Sequence, residues 1–116
     1  MVSEQKVIHK DLAAGRWFNF SLLMQMANVG TDIARAIRYK QQARELDFMH
    51  AMDRALELFD LTIADPKNKK RLKELLRARN MFADQYLGIN EFNFTDEYWQ
   101  QYFYDFSYAA ALQRGR

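Results

Sequence analysis

The sequence predicts an all-α, single-domain, up-and-down four-helix bundle, and three observations carry that expectation. At 116 residues the chain has the size of one domain, able to bury roughly two-thirds of its unfolded surface behind a single core. Four glycines and one proline leave little turn material for a many-stranded fold, while 49% hydrophobic and 28% charged residues describe a globular chain. Along its length, apolar residues recur at three- and four-residue steps, the spacing of one face of an α-helix.

Residues 1–16 mix charges and end in Ala13-Ala14-Gly15-Arg16, so they read as a loose arm, with one helical turn opened by Asp11, ahead of a bundle over 17–116. The first helix is expected over about 18–42, with Leu22, Met26, Val29, Ile33 and Ile37 inward and Gln25, Asn28, Asp32 and Arg35 on a different face. The second, over about 43–64, turns Met49, Met52, Leu56, Phe59 and Ile63 inward and an acidic face of Asp53, Glu57 and Asp60 outward; Asp65-Pro66 breaks it. A third helix over about 66–87 takes Asp65 as its cap and Pro66 in its first turn. It buries Leu72, Leu75, Leu76, Phe82, Ala83 and Tyr86, and stops at a left-handed Gly88. After a linker over 89–94, Thr95 caps a fourth helix over about 95–112, with Asp96 and Glu97 in its first turn and Trp99, Tyr102, Phe103, Phe106 and Ala110 inward. Connections this short favour antiparallel neighbours.

Charge and targeting signals narrow the function classes. A net charge of +2 demands neither a strongly basic nor a strongly acidic partner. The N-terminus has no apolar signal region, and the apolar-looking stretch from Trp17 to Thr31 falls short of the ~20 residues of a spanning helix, so a cytoplasmic protein with no membrane span is expected. Without cysteine there is no disulfide framework, thiolate metal site or cysteine nucleophile. Ser3, Ser21 and Ser107 sit in no Gly-x-Ser-x-Gly turn, and the scattered glycines build no phosphate loop. Asp47-x-x-His50 puts a carboxylate and an imidazole one turn apart, but no second copy accompanies it; it reads as a surface pair, with no metal or cofactor implied.

Two features invite a binding role. Lys67, Lys69, Lys70, Arg71, Lys73, Arg77 and Arg79 place seven bases against the single acid Glu74 within thirteen residues. The first four fall in the expected opening turns of the third helix, where the macrodipole disfavours cations by ~0.3 to 1 kcal/mol each, so an anion is welcome there: a phosphate backbone or an acidic protein surface. The competing reading is a solvated face neutralised by Asp60 and Asp65. Arg79 itself falls on the apolar stripe, which directs it inward and calls for a carboxylate on another helix, such as Asp32, Asp47 or Asp60, or for an oxygen-rich ligand; the competing reading is an arginine snorkelling at the bundle edge.

The run Arg79-Asn80-Met81-Phe82-Ala83-Asp84-Gln85-Tyr86 resembles the Arg-Asn-x-x-x-His-x-Tyr element of HEPN domains, small helical bundles of which many dimerise and bind or cleave RNA. The resemblance covers eight residues and the all-helical architecture, and more broadly the chain is similar to small bacterial helical proteins, which implies no activity. In catalytic HEPN members the arginine and histidine act together on RNA without a metal, so the resemblance assigns Arg79, Asn80, Asp84 and Tyr86 as site residues. Asp84, however, stands at the histidine position. An ionised Asp accepts hydrogen bonds only and does not titrate near neutral pH, so a non-cleaving RNA binder is the form of this reading that the sequence favours.

The second feature is aromatic. Phe92, Phe94, Tyr98, Trp99, Tyr102, Phe103, Tyr104, Phe106 and Tyr108 crowd into seventeen residues, too many for one buried face. Tyr104 and Tyr108 point away from the core and suit a homodimer contact. A base-stacking platform is opposed by Asp96, Glu97 and Asp105, whose charge repels phosphate. The reading that follows is a non-enzymatic, self-associating interaction protein with a basic helix start for a macromolecular partner; the alternative is a HEPN-like RNA binder or metal-independent ribonuclease.

Overall fold

The computed structural model describes residues 15–88, 90 and 95–115. They form four α-helices, α1 Leu22–Gln41, α2 Glu45–Ala64, α3 Leu72–Leu87 and α4 Asp96–Arg114, with two 3-10 turns, Arg16–Asn19 and Pro66–Arg71. Among the described residues there is no strand. Apart from Gly15 and Arg16, the arm with its expected turn at Asp11 lies outside the described residues, as do linker residue Ile89 and residues 91–94.

Cross-helix contacts set the directions. Gln25 bonds to Asp65 at one end of α1, and Arg54 lies 3.9 Å from Asp32 further along, so α2 returns antiparallel to α1. Arg79 meets Asp60 and Tyr86 packs on Phe48, so α3 climbs back along α2. Ser21 donates to Gln113 and Lys40 pairs with Asp96, which runs α4 down α1 and closes an up-and-down four-helix bundle. At its centre Phe82 meets Trp99 edge-on at 5.6 Å and Phe59 meets Phe103 at 5.9 Å, joining α2, α3 and α4 through rings in preferred edge-to-face geometry.

Several inward faces are rotated from their expected positions. On α1, Met26, Val29, Ile33 and Ile37 are buried as their spacing requires, but so are Gln25 and Asp32, at 0% and 7% exposure. On α2 the buried stripe is Ala51, Met52, Ala55, Leu58, Phe59 and Thr62, leaving Met49 partly exposed. The small residues Ala51 and Ala55 are fully buried, and Leu56 and Ile63 are only half buried. On α3, Leu76 is exposed where a core position was expected, and Ala78 is buried in its place.

Local capping explains the boundaries. Ser21, in extended conformation, accepts the Met24 N–H at 3.2 Å and starts α1, so Trp17 and Phe18 belong to the preceding 3-10 turn and not to the helix expected from residue 18. Trp17 is fully buried, and its indole N–H donates to Thr62 Oγ1 at 3.1 Å. Between α1 and α2, Arg44 N–H bonds to the Tyr39 carbonyl at 2.9 Å and Ala43 N–H to that of Lys40 at 3.1 Å, a Schellman closure. Ala43 holds its left-handed position at φ 57°, which a Cβ disfavours. Replacing Ala43 by glycine should therefore raise stability by about 0.5–1 kcal/mol. A thermal melt checks this, with an unchanged or lower midpoint as the contrary result.

At the end of α3, Gly88 is not the left-handed stop: it is extended, at φ −118° and ψ −142°, and the left-handed residue is Asn90 at φ 54°. Both return their N–H groups to the Asp84 carbonyl, at 3.0 and 3.1 Å, so the reversal is completed two residues later than expected. Thr95 caps α4 as expected, accepting the Tyr98 N–H at 3.1 Å.

Candidate functional site

The basic segment is shaped by a buried polar network beneath it. Asp65 ends α2, and its Oδ1 accepts the Lys67 N–H at 3.1 Å, capping the turn that Pro66 opens. Asn68 points inward, donating to Gln25 Oε1 at 2.8 Å and to the Thr62 carbonyl at 2.9 Å. Gln25 in turn donates to Asp65 Oδ2 at 2.8 Å and to the Trp17 carbonyl at 3.1 Å. Lys67 pairs with Asp65 and donates to the Phe18 carbonyl at 3.1 Å.

Because Asn68 is pinned to the core, residues Pro66–Arg71 close in tight 3-10 steps and α3 begins only at Leu72. Lys67, Lys69, Lys70 and Arg71 therefore do not occupy the first turns of a long α-helix, as the sequence suggested, and the helix-dipole part of that expectation falls away. The charges themselves divide into two sets. Lys67 is held by Asp65, and Arg71 Nε donates to Glu74 Oε1 at 2.7 Å. Lys69, Lys70, Lys73 and Arg77 are exposed, with no ion pair to any of them among the described residues. Lys73 and Arg77 stand one turn apart on α3, and Lys69 and Lys70 lie in the 3-10 turn that leads into it, so the four form a short row of bases along the chain.

Arg79 lies at the edge between α2 and α3. Its Nε donates to Asp60 Oδ1 at 3.0 Å and its Nη2 approaches Oδ2 at 3.4 Å; the arginine side chain is 29% exposed and the aspartate 56%. Arg79 is thus not directed into the core as its spacing suggested: it reaches along the bundle edge, where its long side chain keeps the guanidinium partly in water, and the carboxylate that meets it is Asp60. Asp32 serves Arg35 at 3.0 Å, and Asp47 serves Arg44 at 2.6 Å. A pair this open to water contributes at most about 1 kcal/mol.

The other residues of the HEPN-like run have separate surroundings. Asn80 is exposed, and the Asp84 side chain lies against Gly88. Tyr86 Oη donates to Asp96, and Lys40 Nζ lies 4.8 Å above the Tyr86 ring. Arg79 and Tyr86 lie two turns apart along α3 with no partner in common. His50 is exposed on α2, and its expected neighbour Asp47 turns to Arg44. Among the described residues no group of three or more His, Cys, Asp and Glu is arranged to hold a metal ion. No helix among them is long and apolar enough to cross a membrane.

The resolved carboxyl and phenol shifts all lead away from neutrality. Burial pushes the Asp65 carboxyl up, but the hydrogen bonds from Lys67 and Gln25 outweigh it and hold the group below the ordinary carboxylate range. Burial, followed by the Asp96 carboxylate, raises the Tyr86 phenol. Burial, with Glu74 adding to it, pushes Tyr102 up to about 12; its hydroxyl is buried without a geometric hydrogen-bond partner among the described residues. Each of these groups keeps one protonation state at neutral pH, which suits structure and binding better than proton transfer.

Sequence reasoning missed the Gln25–Asp65–Asn68 network. Its signal was present, because Gln25, Val29 and Ala36 keep helical steps on one face, yet polarity placed Gln25 on the outside. Tyr104 and Tyr108 are exposed at 59% and 57%, stacked with ring centroids 6.3 Å apart. No family model matches the chain, and no curated protein or solved structure matches it either.

Proposed function

We propose that this protein is a non-enzymatic interaction module that holds the phosphate backbone of RNA along the row Lys69, Lys70, Lys73 and Arg77. The observation that carries the reading is the commitment of the nearby acids: Asp60 serves Arg79, Asp65 serves Lys67 and Glu74 serves Arg71. The row is thus left without the neutralisation that a merely solvated face would have. The stretch from Lys69 to Arg77 carries no aromatic side chain of its own on which a base could stack, so the contact is to backbone and tolerant of sequence.

Four phosphate contacts on a single strand predict that log K falls with log salt with a slope of about −3. Fluorescence anisotropy with a labelled single-stranded RNA measures this. The triple variant Lys70→Glu, Lys73→Glu, Arg77→Glu should lose binding with its circular dichroism unchanged, while Arg79→Ala should bind as the parent does. Loss of binding with Arg79→Ala and not with the triple variant would move the site to the HEPN-like run. Absence of RNA binding at low salt, with binding to polyglutamate, would replace RNA by an acidic protein.

A further inference from the structure

The α1–α4 seam carries a ridge and a groove side by side. The ridge is Tyr104, Tyr108 and Leu112, exposed at successive four-residue steps of α4, so that they form one stripe. The groove has a volume of about 250 Å³ and runs between the helices over Gly30, Thr31, Ala34, Trp99, Phe103 and Ser107. A cavity of roughly 150 Å³ is enough for a benzene ring, so this one accepts a tyrosine ring. The short side chains of Ala34 and Ser107 leave its mouth open, and Tyr104 of the same chain forms the wall on the ridge side.

We infer that this face is a two-fold interface on which a second copy of the same chain seats, the tyrosine ridge of each copy lying in the groove of the other. The occupant follows from the arrangement of shape and charge. A two-fold axis running along the helices, between ridge and groove, brings each ridge over the opposite groove and makes both contacts identical, as a closed dimer requires. In that arrangement residues at equal heights meet. Arg38 lies on the outer stripe of α1, seven residues beyond Thr31, and Glu97 lies on the ridge side of α4, seven before Tyr104. The Lys40–Asp96 pair at 3.5 Å puts the two at the same end of the seam. Both are exposed and neither has an ion-pair partner among the described residues, so Arg38 of each copy faces Glu97 of the other. This inference goes beyond the RNA-binding reading and does not depend on it.

Light scattering on the purified chain without nucleic acid should give twice the 13.8 kDa chain mass. Tyr104→Lys with Tyr108→Lys should return the mass to that of one chain while helical circular dichroism is retained. Arg38→Glu and Glu97→Arg should each weaken the dimer at least tenfold, and the two together should restore it, an outcome that a merely sticky surface would not produce. A single-chain mass at high concentration, a dimer that survives the double tyrosine substitution, or a charge swap that fails to restore association would each overturn the inference. RNA affinity measured on the double tyrosine variant reports on the basic row independently.

Discussion

Asp65→Ala is expected to cost about 2–4 kcal/mol, the largest loss from any single side chain outside the apolar core. Asp65 is 4% exposed and holds three roles at once: it caps the 3-10 turn, accepts from Gln25 and pairs with Lys67. Its removal leaves Gln25 Nε2 with only the Trp17 carbonyl and frees the turn that Asn68 pins. Lys67 keeps access to water, which holds the cost below that of a fully buried ion pair. Chemical denaturation measures the change, and a loss under about 1 kcal/mol would show that the network is dispensable.

The pH dependence of that difference has a definite sign. The native carboxyl titrates below the ordinary carboxylate range, so the folded state binds its proton less readily than the unfolded one. The stabilisation is complete above about pH 4 to 5 and is lost as the pH falls through the native value. Asp65→Asn, which cannot ionise, should lack this component. The gap between parent and Asn variant should narrow on acidification; a gap that widens below pH 4 would contradict the assignment.

Gly30→Val should destabilise the bundle by about 3 kcal/mol or more, and Gly30→Ala by about 1–2. Glycine inside a helix costs about 1 kcal/mol relative to alanine, so isolated propensity predicts the opposite sign for Ala. Packing decides otherwise. A Cβ at position 30 would lie 2.7 Å from Phe103 Cβ and 3.1 Å from its Cγ. Because the nearest atom is a Cβ, no rotation of the Phe103 ring relieves the contact, and α1 and α4 must separate. Thermal melts of the two variants test this, and a higher midpoint for Gly30→Ala would mean that the seam has slack. The same glycine forms part of the groove floor, so stability and the dimer are to be measured separately in these variants.

Much of the fold was legible without coordinates. Four apolar periodicities gave four helices, Thr95 marked the start of α4, and the surplus of aromatics left Tyr104 and Tyr108 outside. Illegible were the features set by two segments together. Gln25 reads as a surface residue because polarity is the usual mark of one, yet Asp65, Asn68 and the Trp17 carbonyl satisfy its amide forty residues away in one direction and eight in the other. The start of α3 moved for the same reason: Asp65-Pro66 is a sound helix opening, but the inward bonds of Asn68 hold the next six residues in a tighter turn. Local signals for a cap were right about the cap and wrong about what it opened.

For the basic row the residues themselves were plain from composition and spacing, and so was the need of Arg79 for a carboxylate. Which acid answers Arg79 depended on how α2 and α3 pack, whereas Asp65 with Lys67 and Glu74 with Arg71 are pairs of near neighbours. Helical periodicity is a property of neighbours three and four apart, and a chain carries it wherever it goes. The Arg79–Asp60 pair, the close helix approach at Gly30 and the burial of Gln25 depend on distances between groups remote in the chain, which arise only when the helices are packed. The class of fold and the outward tyrosines belong to the first kind of information; the unpaired cations and the groove beside the ridge belong to the second.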